Sequence, residues 1–293
     1  MFTHTIPATL KSERLGVYIK RAWPLLPQSL LRTLDKKKDV RINGVKSDKN
    51  ALVHGGDVLE IYADSGVFQP QPDIVFSDAR LVAAVKPQGL PSLPDHDGIG
   101  ADTMESRLQR FIPSLRLCHR LDSGTGGIML AAADDVTYNN AFEAFKQRQL
   151  VKRYTALVCC KTPPSVDIHR AHLAKNPESA TVRVMDHPFR NSKPIDTAVH
   201  KVEPLDTRIY RLELEPISGR THQLRAHMAF LGCPILGDDK YGDRELNKKL
   251  GCVGHLHLWC RSIYIPEDSA LSAYAGRCFE APLPHDFERI LPK

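Results

Sequence analysis

One short segment of the chain combines the residue types that acid, base or nucleophilic chemistry needs. Residues 117–127 read Leu-Cys-His-Arg-Leu-Asp-Ser-Gly-Thr-Gly-Gly, so a histidine, an arginine and the carboxylate of Asp122 precede a glycine-rich loop. Glycines let a ligand approach the backbone closely. The pattern is also typical of an ordinary turn after a strand, in which the aspartate accepts backbone N–H groups. A phosphate-binding P-loop is disfavoured, because no Lys-Ser or Lys-Thr follows the glycines.

A second charged segment lies further along the chain. Residues 216–234 predict a helix with Thr221 as its N-cap, which places Arg225 in the first turn. The helix dipole disfavours a cation there by about 0.3–1 kcal/mol. A carboxylate would reverse this cost, and Asp122 is the predicted partner, although a solvated arginine on a surface helix is the commoner arrangement. We expect the polar loop 237–242 to line the same cleft.

A metal site is the alternative for residues 252–260, which contain two cysteines and two histidines. On a strand, His255 and His257 would share one face, while Cys252 and Cys260 would lie on the other. These side chains cannot easily converge on one ion. We therefore expect a buried strand here and no bound metal.

The composition narrows the class of protein. The chain has 293 residues, enough for two domains, with 42% hydrophobic and 25% charged residues, as in soluble globular proteins. No apolar run reaches the ~18 residues of a membrane span, and no secretory-signal core is present. The odd number of cysteines, with Cys159 and Cys160 adjacent, predicts reduced thiols. We expect a cytoplasmic protein without membrane contact.

The first 64 residues predict a small α/β unit. The expected elements are helices near 15–22 and 29–34, a strand-turn-strand unit at 40–45 and a strand at 58–62. The formal charge of +6 is modest, but basic residues cluster between 32 and 49. A solvated face would explain this cluster equally well. The order of elements resembles the small RNA-binding domain of ribosomal protein S-four, and this resemblance favours Arg32, Lys36 and Arg41 as phosphate contacts.

A larger domain is predicted to follow. Residues 65–73, with their prolines and glutamines, indicate a linker, and residues 74–293 form the second domain. Its expected elements are strands at 74–76, 81–85, 128–131, 154–158 and 210–214, and a helix from Asp134 or Asp135 to about 149 that buries Ala141, Phe142 and Phe145. These elements predict an α+β fold with a mixed, largely antiparallel sheet. Residues 267–293 carry no functional signal.

Five motifs, in order, resemble those of the RluA-type pseudouridine synthases. They are Lys86-Pro87-Gln88-Gly89-Leu90, His119-Arg120-Leu121-Asp122 with Thr125 and Gly127, Arg153-Tyr154-Thr155-Ala156, Gly219 to His227, and Gly237-Asp238 with Tyr241-Gly242. Several of these synthases also carry the S-four-like unit in front. The chain departs from the pattern at Gly126, where the family usually has serine, and at Val85, where asparagine is often found.

The resemblance implies an isomerase that needs no cofactor and acts on uridine within rRNA or tRNA. The bond from ribose to the uracil nitrogen is broken, and C5 of the turned base is joined to the same sugar carbon. Asp122 would be the catalytic carboxylate, attacking the sugar or assisting a deprotonation there, with Arg225 as its partner. Tyr154 would stack on the uracil and take part in the final proton removal. Arg120 would contact phosphate or hold the flipped nucleotide.

Structural roles stay open for two of these residues, and two other functions compete. Tyr154 would serve equally as a core strand residue, and Arg120 as half of a surface ion pair.

A pure RNA-binding protein would need no buried carboxylate, whereas an N-glycosidase would use one at the anomeric carbon and release free uracil. We expect no obligate protein partner, and therefore a monomer.

Overall fold

The computed structural model describes residues 1–176, 179 and 181–287 and arranges them around two main sheets. The N-terminal elements are β1 (Phe2–Thr5), β2 (Glu13–Arg14), α1 (Leu15–Ala22), α2 (Gln28–Lys37), β3 (Val40–Ile42), β4 (Val45–Ser47), β5 (Leu52–Val53) and β6 (Val58–Ile61). Four strands form a sheet in the order β1-β6-β3-β4, and β2 pairs with β5. The first strand was not expected from the sequence.

The predicted helices and hairpin of this unit are present, with one shifted boundary. Asn43 and Gly44 both have positive φ, 50° and 82°, which suits the two-residue turn between β3 and β4. The first helix ends at Ala22, because Trp23 precedes a proline. The second begins at Gln28 after Pro27 rather than being capped by Ser29.

Part of the segment 65–73, which was predicted as a linker, belongs to the hydrophobic core of the N-terminal unit. Ser65–Val67 form a 3-10 helix, and the next residue, Phe68, is buried. Its ring stacks on Phe2 at a centroid distance of 4.8 Å and meets the edge of Trp23 at 5.4 Å. Because Phe68 completes the N-terminal core, that core extends past residue 64. The division of the chain into the domains 1–64 and 74–293 stays a prediction.

A loop that follows the first motif of the larger part contacts the N-terminal unit. Arg21 donates to Glu13 at 2.9 Å within its own unit, and to Asp95 at 2.7 Å and Asp97 at 2.8 Å across the junction. Ile99 of the same loop is buried in the N-terminal core. Ion pairs and apolar packing therefore both hold the N-terminal unit against this loop.

The larger part is an eleven-stranded sheet flanked by helices. Its strands are β7 (Asp73–Ser77), β8 (Leu81–Lys86), β9 (Arg116–Leu117), β10 (Gly126–Ala132), β11 (Val151–Cys159), β12 (Ile168–Lys175), β13 (Val182–Met185), β14 (Lys193–Pro204), β15 (Ile209–Pro216), β16 (Leu258–Tyr264) and β17 (Cys278–Glu280). Its helices are α3 (Met104–Phe111), α4 (Asp135–Lys146), α5 (Gln223–Phe230) and α6 (Arg244–Lys249), with 3-10 turns at Ser272–Tyr274 and His285–Phe287.

The sheet topology confirms the expected fold class. The strand order is β13-β12-β14-β15-β11-β16-β10-β8-β7, with β17 beside β16 and β9 beside β10. The pairing of β10 with β16 is parallel, and the other pairings between the described strands are antiparallel. The chain is therefore α+β with a mixed, largely antiparallel sheet.

Burial follows the apolar pattern, with two corrections. Every residue of β8 and β10 is buried, as expected for uniformly apolar central strands. Asp134 caps α4 by accepting the Thr137 N–H, and Ala141 is buried, but Phe145 is only partly buried and Phe142 is exposed. Residues 252–257 form turns and extended chain before β16, so the predicted strand begins only at Leu258.

The C-terminal residues complete the large core. Phe287 is fully buried, and its ring lies 6.3 Å from that of Trp259 on β16. Residues 288–293 of the segment without a functional signal lie outside the described part. No helix among the described residues is both long and apolar enough to cross a membrane.

Candidate active site

A cleft of about 770 Å³ opens where the charged segments meet, and its size is that of a small-ligand pocket. Most of its lining comes from the loops at 91–94 and 119–125, from the loop and helix start at 219–225, and from the loop that holds Gly237, Asp239 and Lys240, and Tyr154 of β11 is among the other lining residues. Three of these loops contain sequence motifs described above. The fold therefore brings together segments that are more than a hundred residues apart in the chain.

Asp122 lies in this cleft, on the loop between β9 and β10, with 30% of its side chain exposed. Its Oδ2 atom is 3.8 Å from Nη1 of Arg225 and 3.7 Å from Nε2 of His222. Both distances exceed hydrogen-bond length, and that to Arg225 is the distance of an ion pair. The predicted meeting of Asp122 and Arg225 is therefore present, and their catalytic roles stay predictions.

Arg225 has a different main partner from the one expected. Its Nε atom donates to Oδ2 of Asp238 at 2.7 Å, and Nη2 donates to Oδ1 of Asp238 at 2.7 Å and to Asp239 at 2.8 Å. This two-pronged pair is the strong geometry for a guanidinium and a carboxylate. Asp238 rather than Asp122 thus offsets the cost of a cation in the first helical turn.

The start of α5 also differs from the prediction. The helix begins at Gln223, preceded by His222 in the left-handed conformation with φ 53°, and Thr221 does not cap it. Burial tends to lower the pKa of Arg225, but its hydrogen bonds to Asp238 raise that pKa above the usual value. Burial likewise tends to raise the pKa of Asp238, and the same hydrogen bonds hold it below the usual value. The pair is fully charged near neutral pH.

Tyr154 forms part of the cleft wall and is almost completely buried. A register shift between Arg153 and Tyr154 places it opposite Cys260 of β16. Burial raises the pKa of Tyr154 well above its usual value, with smaller contributions from Cys260 and Asp122. The hydroxyl therefore stays protonated at neutral pH.

The predicted substrate contacts divide between two regions. Arg120 is exposed and lines the cleft beside Asp122. Arg32 and Lys36 are exposed on α2, and Arg41 on β3 lies over the Tyr62 ring at 5.0 Å. These three do not line the cleft. A separate groove of about 310 Å³ in the N-terminal unit is bordered by the basic residues Arg14, Lys20, Arg32 and Lys49.

Lys86 is a buried lysine whose role the sequence did not show. Its Nζ atom is fully buried and donates to the carbonyl oxygens of Leu90 at 2.6 Å, Pro87 at 3.1 Å and Ser123 at 3.1 Å. Burial lowers the pKa of Lys86 to about 7, against the opposing charge of Asp122. The lysine ties the first motif to the loop that carries Asp122. Its position at the end of an apolar strand is the signal that could have revealed it.

The departure from the family pattern at Gly126 has a steric explanation. A Cβ atom at this position would overlap the ring of Trp259 on the neighbouring strand β16 and lie 2.9 Å from Cγ of Gln88. Serine cannot fit while Trp259 occupies that space. A side chain at position 126 would therefore require a residue smaller than tryptophan at position 259.

One group could be considered for a metal ion among the described residues. Ligand atoms of Asp95, His96 and Asp97 lie within 4.8 Å of one another near the surface. Arg21 already pairs with both carboxylates, and the group lies outside the cleft lining. The cysteines and histidines between 252 and 260 form no such group.

Comparison with known proteins decides the family. The family model described as RNA pseudouridylate synthase matches residues 80–230, slightly more than half of the chain. The chain belongs to this family. It is 31% identical over 255 residues to ribosomal large subunit pseudouridine synthase C of Rickettsia conorii, covering 80% of this chain and 84% of that protein. Identity to the protein of the same name from Haemophilus influenzae is 28%, covering 99% and 94%.

A solved structure agrees with this assignment. Human RNA pseudouridylate synthase domain containing 4 superposes with a TM-score of 0.58 at 28% identity, covering 74% of this chain and 90% of that one. The resemblance to RluA-type synthases is thus confirmed for the chain as an RNA pseudouridine synthase, which is an isomerase. The matched family region begins at residue 80, so the S-four-like character of residues 1–64 stays a prediction.

Proposed function

We propose that this protein converts specific uridines of large-subunit ribosomal RNA to pseudouridine, with Asp122 as the catalytic carboxylate. Family membership supports the reaction, and the names of the bacterial relatives favour ribosomal RNA over transfer RNA. The single observation that carries the proposal is the position of Asp122. Its carboxylate lies in a nucleotide-sized cleft, beside a buried guanidinium that is itself anchored by a second carboxylate.

The reaction is an isomerisation in which every atom of the base is kept. The bond between N1 and C1′ breaks, the uracil turns, and a bond forms between C5 and C1′. The proton on C5 leaves, and N1 gains one. Asp122 either attacks C1′ or assists deprotonation of the sugar, and both roles require an ionised carboxylate. No electron is transferred, so the chemistry requires no redox cofactor.

The other cleft residues hold the flipped nucleotide in this proposal. The raised pKa of Tyr154 favours stacking on the uracil over removal of the C5 proton by a phenolate. Arg120 is exposed at the cleft and can meet the phosphate of a nucleotide that has left its helix. Residues 1–64 act as an S-four-like RNA-binding unit, with Arg32, Lys36 and Arg41 on the backbone. In this proposal the protein acts as a monomer in the cytoplasm.

The test uses transcripts labelled with tritium at C5 of uridine, because isomerisation releases that tritium to water. We expect release from large-subunit rRNA, with RNA of unchanged mass and pseudouridine at defined sites. Asp122→Asn should abolish release while RNA affinity stays within about twofold. Free uracil would indicate an N-glycosidase, and tight binding without release would indicate a binding protein. Retained turnover in Asp122→Asn would refute the assignment of the carboxylate.

A further inference from the structure

Two hydrogen bonds link β13 to His222, which is the second neighbour of Asp122 beside Arg225. The backbone N–H of Val182 donates to the Tyr241 hydroxyl oxygen at 2.8 Å, and that hydroxyl lies 2.9 Å from Nδ1 of His222. The other ring nitrogen of His222, Nε2, is 3.7 Å from Oδ2 of Asp122. His222, which directly precedes α5, is thus linked through Tyr241 to β13 and also lies next to the Asp122 carboxylate.

The carboxylate of Asp122 favours one tautomer of His222. A carboxylate accepts hydrogen bonds, so the ring nitrogen that faces it, Nε2, carries the proton, and Nδ1 accepts from the Tyr241 hydroxyl, whose oxygen accepts from the Val182 N–H. A neutral imidazole that accepts at Nδ1 carries its proton on Nε2. Burial lowers the pKa of His222, and the charges of Arg225 and Lys240 add to this effect against those of Asp122 and Asp238. The ring is therefore neutral near pH 7 and presents an N–H to Asp122.

The two neighbours of Asp122 approach the same oxygen. His222 Nε2 and Arg225 Nη1 both lie nearest to Oδ2, at 3.7 and 3.8 Å. Two donors that converge on one oxygen orient the carboxylate and leave Oδ1 free to face the substrate. Because neither contact is a short hydrogen bond here, both can tighten when substrate closes the cleft.

We propose that His222 is a positioning residue of the isomerisation, whose Nε2–H, together with Arg225, holds Oδ2 of Asp122 so that Oδ1 is the reacting oxygen. This inference rests on the proposed function. The backbone at His222 supports a specialised role, since its φ of 53° lies in the left-handed region, which asparagine, aspartate and histidine tolerate better than other residues.

Two substitutions separate positioning from a structural role. In His222→Gln the side-chain amide reaches the place of Nε2 and can still donate to Asp122. In His222→Asn the amide reaches only the place of Nδ1, so the contact with Tyr241 survives and the contact with Asp122 is lost. Asparagine tolerates the left-handed conformation better than glutamine, so thermal unfolding should show His222→Asn to be at least as stable as His222→Gln. Of the two variants, His222→Asn is therefore expected to be at least as stable as His222→Gln but less active.

The measurement is single-turnover and steady-state tritium release from the RNA used for the wild type. We expect kcat of His222→Asn to fall about tenfold to a hundredfold, as for loss of a hydrogen bond to a charged group, with KM within about threefold. His222→Gln should recover most of this loss. Tyr241→Phe removes the hydroxyl that bonds to Nδ1 of His222, so the ring can also carry its proton on Nδ1. This substitution should also lower kcat, and its effect should be less than additive with that of His222→Asn.

The outcomes distinguish this inference from the proposed function. An inactive wild-type protein would refute the proposed function, and the role of His222 with it. An active wild type with unchanged kcat in His222→Asn would refute the positioning role alone. Equal losses in the asparagine and glutamine variants would also overturn it, because they would show that the Nε2 donor is not what matters.

Discussion

The substitution Asp238→Asn removes the charge that anchors Arg225 while keeping the shape of the side chain. The carboxylate of Asp238 is completely buried. It accepts four N–H groups: Nε and Nη2 of Arg225, and the backbone amides of Lys240 and Tyr241. An asparagine has one acceptor oxygen and one NH₂ group, so an NH₂ must face an N–H in either orientation.

The expected loss is large because Arg225 is also buried. Removing one partner of a buried ion pair costs about 3–5 kcal/mol. Asp239 still accepts from Arg225 at 2.8 Å, so we expect the lower end, about 3 kcal/mol, and an unfolding midpoint lower by roughly 6–12 °C. A guanidinium released from Asp238 would also shift towards Asp122, and a displacement of about 1 Å at a reacting group can cost about a hundredfold in kcat.

The matched control is Asp239→Asn, which removes the same charge from the neighbouring residue. Its side chain is 72% exposed, so water screens its ion pair with Arg225, and the loss should stay below about 1 kcal/mol. Calorimetry gives the two midpoints, and tritium release gives the two kcat values. Equal effects of the two substitutions, or an Asp238→Asn protein with wild-type kcat, would show that the buried anchor does not position Arg225.

Three further predictions concern the N-terminal unit, the buried lysine and the strand pair. Replacing Arg32 and Lys36 by alanine should raise KM. It should also make the fall of log affinity with log salt concentration, measured by filter binding, less steep by about 1–2; an unchanged steepness would show that neither residue contacts phosphate. The pKa of Lys86 is about 7 in the folded state and about 10.4 in the unfolded state. Between these pH values the unfolded state binds more protons than the folded state, so the free energy of unfolding increases as pH rises. Urea unfolding should therefore show the stability of the wild type, relative to Lys86→Met, increasing from pH 7 to 9 by up to about 1.4 kcal/mol per pH unit, whereas parallel curves would show that burial does not lower the pKa of Lys86. Gly126→Ser should destabilise the protein by about 1–3 kcal/mol through its clash with Trp259, and combination with Trp259→Leu should cost less than the sum of the two single changes.

Elements with a strong local pattern were predictable from the sequence. The uniformly apolar strands β8 and β10, the helix capped by Asp134 and the alternating strand Ile209–Pro216 lie where the pattern placed them. Each is specified by the periodicity of its own residues, which repeats over several positions. The starts of α2 and α5 were misplaced, because a serine or threonine near a helix start predicts a cap only when its backbone has the capping conformation.

Contacts between distant segments were less predictable. The burial of Phe68 against Phe2 depends on β1, a short edge strand whose sequence carries little signal. The pairing of Gly126 with Trp259 depends on β10 lying parallel to β16, which is a pairing between strands far apart in the chain. Such contacts are set by sheet order, and no local pattern encodes it.

The sequence by itself determined the family, the α+β class and the set of charged residues that line one cleft, because each motif keeps its residue types at fixed local spacing. Only the tertiary structure decided how those charges are shared. It paired Arg225 with the buried Asp238, placed Asp122 3.8 Å from Arg225 and 3.7 Å from His222, and linked His222 through Tyr241 to β13. The physical reason is that a carboxylate takes the partner whose loop the sheet brings within hydrogen-bond reach, and this depends on coordinates that chain order does not contain.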